Sequence, residues 1–379
     1  ETPPMRRSDK GVRGLVIDSV LAALDDAGIA PDEVDGIVTD SMIMPTTVPH
    51  DYVAAQLGIN SRFDAAISMG GAGIVCAPLQ AALAIQNGLA DVVISYFGVD
   101  WGTRAAGPYG FHDVYPAKKV FEKPYGFNAQ PAYFALWARR YMLEYGLTER
   151  QLGSVAVHQR RHALLNGGGQ MTTPLSMEDY LSSKLISDPL RVPDCCQITD
   201  GAGAFVMTSG RRARDCRKRP VYAKGVGFGS VPITGDAVFT QNPELLVIPG
   251  AKAAAGDAFT MAGVGANDID FAEIYDCFTI SCLMQLEDMG LCEKGEAGAF
   301  FEAGEAGLGG KMPVNTHGGL LSHSHPGNPG SMFALTESVW QLRGEASGRQ
   351  VANPKNALVH AQGGIMSSHT ALVLGTEAS

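Results

Sequence analysis

Apolar side chains at Val12, Leu15, Val16, Val20, Leu21 and Leu24 share one face at helical spacing, so residues 11–27 are expected to form a helix that Gly28 ends. Residues 34–40 then read as a short strand aimed at Asp40 and Ser41, and residues 65–68 as a second. From Gly70-Gly71-Ala-Gly73 to Asn87 nearly every residue is apolar or small, the pattern of a helix buried on all sides. Gly88 closes it, and 91–97 is a continuous apolar run, as in a strand covered on both faces. Between 101 and 192 the pattern loosens into Gly, Pro and aromatic residues, with helices expected over 131–145 and 152–165. Buried strands follow over 200–207 and 221–231, then a helix over 331–342 and strands over 357–360 and 370–374.

The pattern repeats. Residues 27–40 and 262–275 match at a constant offset of 235 as helix end, acidic turn and strand. Gly70-Gly71, the buried helix and the strand at 91 likewise correspond to the stretch 315–330, the helix 331–342 and the strand 357–360. A duplication of this size predicts two similar α/β halves, 1–220 and 221–379, whose equivalent loops meet where the halves pack. That brings Ser41, Gly71, Asp276 and His325 towards a shared axis. The excursion 101–192 is long enough to be a lid or substrate-facing subdomain. Its Tyr109, Phe111, Tyr115, Phe121, Tyr125 and Phe127 suit either a bulky apolar ligand or a packed lid.

Composition narrows the function. The chain has 379 residues, 45% of them apolar and 18% charged, with 46 glycines and 21 prolines, which fits an α/β enzyme with many tight connections. A net charge of −10 spread along the chain argues against a nucleic-acid partner. The basic cluster 211–219 falls in a hairpin-like connection and reads as a solvated turn, or alternatively as a contact for cofactor phosphates. No apolar run nears the roughly 18 residues that span a bilayer, and no signal pattern opens the sequence, so a soluble cytoplasmic protein without a membrane partner is expected. Seven cysteines without a C-x-x-C pair point to reduced thiols and against a structural zinc; no metal site is expected.

Candidate chemistry concentrates in 315–330, which holds three of the nine histidines among several glycines. Glycine permits close backbone approach, and imidazole moves protons near neutral pH. An active-site loop is expected there; a glycine-rich surface turn is the alternative. Gly304 to Lys311 is no phosphate loop, because the spacing is wrong and Met312 stands where a hydroxyl is required. Gly71-Ala-Gly73 is half a dinucleotide fingerprint, without the third glycine or the later acidic residue.

Asp200-Gly-Ala-Gly-Ala, Tyr275-Asp-Cys-Phe278, Asn315 with Gly318-Gly319, His325-Pro326 and Gly363-Gly364 together resemble the thiolase superfamily, closest to its sterol-carrier-protein-X and lipid-transfer type. The resemblance covers essentially the whole chain, although the family's first strand has no counterpart before the opening helix. It implies the thiolase fold, two duplicated α/β halves in a five-layered αβαβα arrangement, and a homodimer pairing its central sheets. It also implies a coenzyme A thioester as substrate, no tightly bound cofactor, and substrate contacts at Gly70, Gly71, Gly318, Gly319, Gly363 and Gly364.

The departures from that pattern decide the expected reaction. The family's nucleophilic cysteine falls on Gly71 and its second cysteine on Ala361, whereas His325 is kept and Tyr275 stands where the family carries Asn or His. Tyr275 and His325 remain as an acid/base pair without a nucleophile, suited to a retro-aldol cleavage. Thiolase-like steroid side-chain aldolases, to which the resemblance points, lack the cysteine, use tyrosine and work with a small zinc-ribbon/OB-fold partner.

Alternatives stay open. Cys76 could be a displaced nucleophile if Pro78 lies in the first turn of a helix starting near Ala77, or else a buried core cysteine, as Cys277 and Cys282 are expected to be. His323 should face away from His325 if the segment is extended, Asp276 is a further candidate, and His317, His360 and His369 carry no direct role. An acyltransferase using Cys76, or a non-catalytic acyl-CoA or lipid binder, would be the competing functions.

Overall fold

Gly28, left-handed at φ 70°, stops α1 (Gly11–Ala27) by turning its N–H back onto the carbonyls of Leu24 and Asp25. This computed structural model describes residues 1–40, 48–104, 116–127, 129–230, 244–327 and 330–378, so Ser41, Tyr109, Phe111 and Tyr115 lie outside the described residues. A 3-10 turn over Pro31–Glu33 delays the first strand, which is β1 (Gly36–Asp40). Next come α2 (His50–Leu57), β2 (Phe63–Ile67), α3 (Gly71–Gln86) and β3 (Val92–Asp100).

The excursion carries helices α4 (Gln130–Tyr145), α5 (Glu149–Asn166) and α6 (Met177–Ser182), and the small ladder β4 (Leu185–Ser187) with β5 (Leu190–Arg191). Thr148 and Gln151 cap the start of α5 reciprocally, each side chain meeting the other's backbone N–H. Strand β6 (Asp200–Thr208) returns the chain to the first sheet, whose order is β2-β1-β3-β6, with β1 parallel to both neighbours and β6 antiparallel to β3.

After α7 (Gly210–Ala213), β7 (Tyr222–Ser230) begins a second sheet. The connection 211–219 is therefore no hairpin: it crosses from one sheet to the other, a placement that local pattern does not reveal. The second half continues with α8 (Pro249–Ala262), β8 (Phe271–Glu273), α9 (Thr279–Asp288), α10 (Ala297–Glu302), α11 (Gly330–Arg343), β9 (Asn356–Gly363) and β10 (Ser368–Gly375), in the sheet order β7-β10-β9-β8. The end of α1, the first 3-10 turn and β1 recur as the end of α8, the turn Ala266–Asp268 and β8, at the offset of 235 seen in the sequence.

Five layers result. α1 covers the outer face of the first sheet, α3 and α11 lie between the sheets in contact with both, and α8 covers the outer face of the second. α8 rests directly on β7, because a Cβ at Gly227 would come within 1.9 Å of the Ala254 carbonyl oxygen. Buried α3 carries the small side chains that two flanking sheets demand.

The excursion shares the core of the second half, α4 meeting α9 where Phe134 stacks on Phe278 at 4.2 Å and α5 packing on α10. Within it, Phe121 and Tyr125 are exposed, and Phe127 packs against Tyr133. No helix among the described residues is long and apolar enough to cross a membrane.

Candidate active site

The first wall of the site is the start of α3. Gly70 adopts φ 57° and ψ −145°, and Gly71 is the first helical residue. The helix does not begin near Ala77: Pro78 lies inside it, and Cys76 sits in its second turn, away from the positive N-terminus. That thiol is buried and its pKa pushed up by burial, the opposite of what a nucleophile needs.

The second wall comes from the end of β8. Asn315, held at φ 53°, brackets Ile274 as a strand would, its Oδ1 accepting the Ile274 N–H at 2.6 Å and its Nδ2 donating to the Ile274 carbonyl at 2.9 Å. Gln285 Nε2 donates to the Tyr275 carbonyl at 2.7 Å. With its backbone fixed on both sides, Tyr275 aims its ring at Gly71. A Cβ placed there would lie 2.9 Å from Tyr275 Cε2 and 2.6 Å from the Gln362 carbonyl oxygen. The aromatic ring thus fills the space into which a side chain at 71 would project.

The Tyr275 hydroxyl meets His325 Nε2 at 2.9 Å. His325 donates its backbone N–H to Thr199 Oγ1 at 2.9 Å, its ring bonds the Gln197 carbonyl, and Trp101 stands edge-on at 5.7 Å between ring centroids. Burial lowers the His325 pKa to about 4 and raises that of Tyr275 well above its usual value, so a neutral imidazole faces an intact phenol. With Nδ1–H donating to the Gln197 carbonyl, the Nε2 lone pair accepts from the phenol.

Only one of the two neighbouring histidines reaches this pair. Contrary to the expectation from the sequence, extended backbone would set His323 and His325, two residues apart, on one face; they part because Gly319–His323 form a π-helical turn, with Ser324 resuming extended backbone at φ −175°. His323 points elsewhere, its Nδ1 2.9 Å from Ser324 Oγ and its ring against His317 and Phe333.

The glycines of the site form two groups, each packed closely against the protein's own atoms. Gly70, Gly71, Gly363 and Gly364 come together between the halves, a Cβ on Gly70 falling 3.0 Å from Gly363 Cα and 3.5 Å from Gly364 N. Gly318 and Gly319 accommodate the protein itself: side chains there would strike Ala163 of α5 and the Asp276 carboxyl.

Asp276 is a brace. Its Oδ1 accepts the Leu320 N–H at 2.6 Å, its Oδ2 lacks a hydrogen-bond partner among the described residues, and burial pushes its pKa up to about 7. Beneath it, His317 Nδ1 lies 2.7 Å from Glu273 Oε2, Thr316 Oγ1 bridges Glu273 and Glu337, and Arg349 pairs with Glu337 at 2.6 Å. All are buried, and they tie β8, the histidine loop and α11 into one support. The Cys277 thiol is pushed up to about 12 by burial, and Cys196 well above its ordinary value, so neither is poised to attack. Cys282 is likewise fully buried in the core.

Trp101, Gln197 and Thr199 carry no motif and escape sequence reading. Trp101 is set by Asp200, whose Oδ1 accepts the N–H groups of Gly102 at 2.7 Å and Thr103 at 3.0 Å while Oδ2 accepts the Ser8 N–H at 2.8 Å; Gln197 is held by its Nε2 donating to the Leu321 carbonyl at 2.9 Å, and Thr199 by its Oγ1 donating to Gln170 Oε1 at 2.8 Å. The signal within reach was the aspartate that opens the Asp200-Gly-Ala-Gly-Ala run. The basic cluster 211–219 forms ion pairs on the surface, Arg212 with Glu33, Arg217 with Asp25 and Lys218 with Glu345. Among the described residues no group of three or more His, Cys, Asp or Glu is arranged to hold a metal ion.

Comparison with known proteins identifies the family. The family described as thiolase C-terminal domain-like matches residues 234–376. The chain is 37% identical to the 17-hydroxy-3-oxo-4-pregnene-20-carboxyl-CoA lyase of Mycobacterium tuberculosis, over 98% of this chain and 96% of that one. It is 35% identical to the steroid side-chain-cleaving aldolase of Thermomonospora curvata, over 98% and 95%. The solved structure described as Ltp2-ChsH2(DUF35) aldolase superposes with a TM-score of 0.89 at 33% identity, covering 99% of this chain and 95% of that one. The chain belongs to the thiolase superfamily. Within it, this is a protein of the sterol-carrier, aldolase-like type, with the duplicated α/β thiolase fold.

Proposed function

We propose that this protein is a carbon–carbon lyase that splits a β-hydroxyacyl coenzyme A thioester by a retro-aldol route. One observation carries the reading: a tyrosine hydrogen-bonded to a neutral histidine occupies the room beside Gly71. The phenolic oxygen of Tyr275 takes the substrate's hydroxyl proton as its own proton passes to His325 Nε2. The O–H electrons become the second bond of a carbonyl, the carbon–carbon bond breaks, and its electron pair is held as the thioester enolate. The proton then returns through the same pair to the enolate carbon, releasing a carbonyl compound and a shortened acyl coenzyme A. No group is oxidised and none stays on the enzyme, so the chemistry calls for no resident cofactor; coenzyme A enters as part of the substrate.

The names of the two relatives support a steroid side chain as the acyl group. Given 17-hydroxy-3-oxo-4-pregnene-20-carboxyl-CoA, the protein is expected to release the steroid 17-ketone and a three-carbon acyl-CoA, followed by chromatography. Pretreatment with iodoacetamide and the change Cys76→Ala should both leave the rate within about twofold, since neither touches the acid/base pair. Loss of turnover on either treatment would instead favour a thiol-dependent transferase.

The partner named in the related solved structure supports a DUF35-type subunit working with this chain, and the resemblance to thiolase-like steroid aldolases implies for it a small zinc-ribbon/OB-fold build. β2 supports a homodimer: among the described residues it ends the first sheet with one side unpaired, an edge to which a second copy could add its own β2 across a two-fold axis. Light scattering of the chain alone should give twice the chain mass, and a larger complex once the small subunit is added; a monomer in both samples would refute the assembly. Seven unpaired cysteines support a reducing, cytoplasmic location, where fractionation of native cells should recover the protein; recovery from an oxidising compartment would refute that.

A further inference from the structure

The turn joining β9 to β10 is strained and sits at the site. Gly364, Ile365 and Met366 follow one another at φ 60°, 56° and 66°, and a left-handed β-branched residue is an outlier that its surroundings must enforce. Two side chains do so. Gln362 Oε1 accepts the Met366 N–H at 2.7 Å, and His369 Nε2 donates to the Met366 carbonyl at 2.9 Å. His369 Nδ1 is thereby left as an acceptor, and His360 Nε2 fills it at 3.1 Å with the two rings stacked at 20°. Both imidazoles are fully buried, and Gly250 at the start of α8 makes the room: a Cβ there would lie 2.9 Å from His369 Cδ2. The end of β9 that leads into this turn sets the Gln362 carbonyl against Gly71, beside which the Tyr275 ring also lies, and Gly363 against Gly70.

We propose that His369, backed by His360, is a positioning residue for the reaction: it locks the Gly364–Met366 turn and so sets the backbone against which Tyr275 is aimed. The inference rests on Tyr275 and His325 being the acid/base pair. A polar relay inside a sheet, where apolar side chains would pack at least as well, has a use only if it fixes a conformation that packing alone does not.

Full-length His369→Leu, His369→Gln and His360→Leu, each with the DUF35-type subunit present, are compared with wild type and Tyr275→Phe on 17-hydroxy-3-oxo-4-pregnene-20-carboxyl-CoA. His369→Leu should lower kcat by about 10- to 100-fold with KM within about twofold, the size of effect a misplacement near 1 Å produces. His369→Gln, whose Nε2 can still donate to Met366, should recover most of that loss. His360→Leu should give a smaller loss in the same direction, and carries the test if His369→Leu fails to fold. Unchanged kcat in the leucine variants, or an equal loss in His369→Gln and His369→Leu, overturns the positioning role. If Tyr275→Phe keeps full activity, it is the acid/base reading that fails instead.

Discussion

Tyr275→Phe is expected to lower kcat by about 10²–10⁴-fold, the range in which removal of one positioned acid/base group falls. In free energy this is about 3–5 kcal/mol of transition-state stabilisation. Phenylalanine keeps the ring that fills the space beside Gly71 and removes only the hydroxyl bonded to His325. The fold and the thioester pocket should therefore survive, and isothermal titration with a non-cleavable thioester should give a Kd close to wild type. A variant that binds normally and does not turn over assigns the phenol to chemistry. One that turns over at more than a tenth of the wild-type rate removes Tyr275 from it.

His325→Asn should cost about as much, 10²–10⁴-fold in kcat, and it carries a second signature in pH. The imidazole can accept the phenol's proton only while neutral, and burial holds its pKa near 4. Wild-type kcat/KM should thus stay flat from neutral pH down to about 5.5 and then fall through about 4, whereas the residual activity of the variant should lack that limb. The same shift acts on stability. A histidine whose folded pKa lies below its unfolded value contributes stability that is lost as pH drops from about 6.5 towards 4. Rates below pH 5 are therefore best read within seconds of a pH jump, before unfolding adds its own loss. An acid limb that persists in the variant would show that some other group sets it.

Much of this was legible in the sequence, because the signals concerned are local or periodic. The apolar run after Gly71 becomes the buried helix between the sheets, and the offset of 235 reappears in the starts of β1 and β8. Glycine at 71 beside tyrosine at 275 excluded a covalent thioester at the family's position before any distance was known.

The rest depends on contacts distant in sequence. Whether 211–219 closes a hairpin or crosses between sheets depends on which sheet β7 joins, and that is settled by pairing with β10 about 150 residues later. His323 turns away from His325 because a π-helical turn, not a strand, precedes Ser324, and the glycines that permit it say nothing of direction. Trp101 reaches His325 only because Asp200 gathers the backbone of the following residues, a carboxylate role that no spacing announces. The acidic support under Asp276 was equally hidden, since Glu273 and Glu337 are 64 positions apart and meet through Thr316.

Intact-mass spectrometry of the protein quenched during turnover of 17-hydroxy-3-oxo-4-pregnene-20-carboxyl-CoA tests the absence of an acyl-enzyme most directly. Cleavage through Tyr275 and His325 predicts the unmodified chain mass at every time point while product accumulates. An adduct of acyl mass that forms and decays with turnover, mapped to any of the seven cysteines, would contradict it.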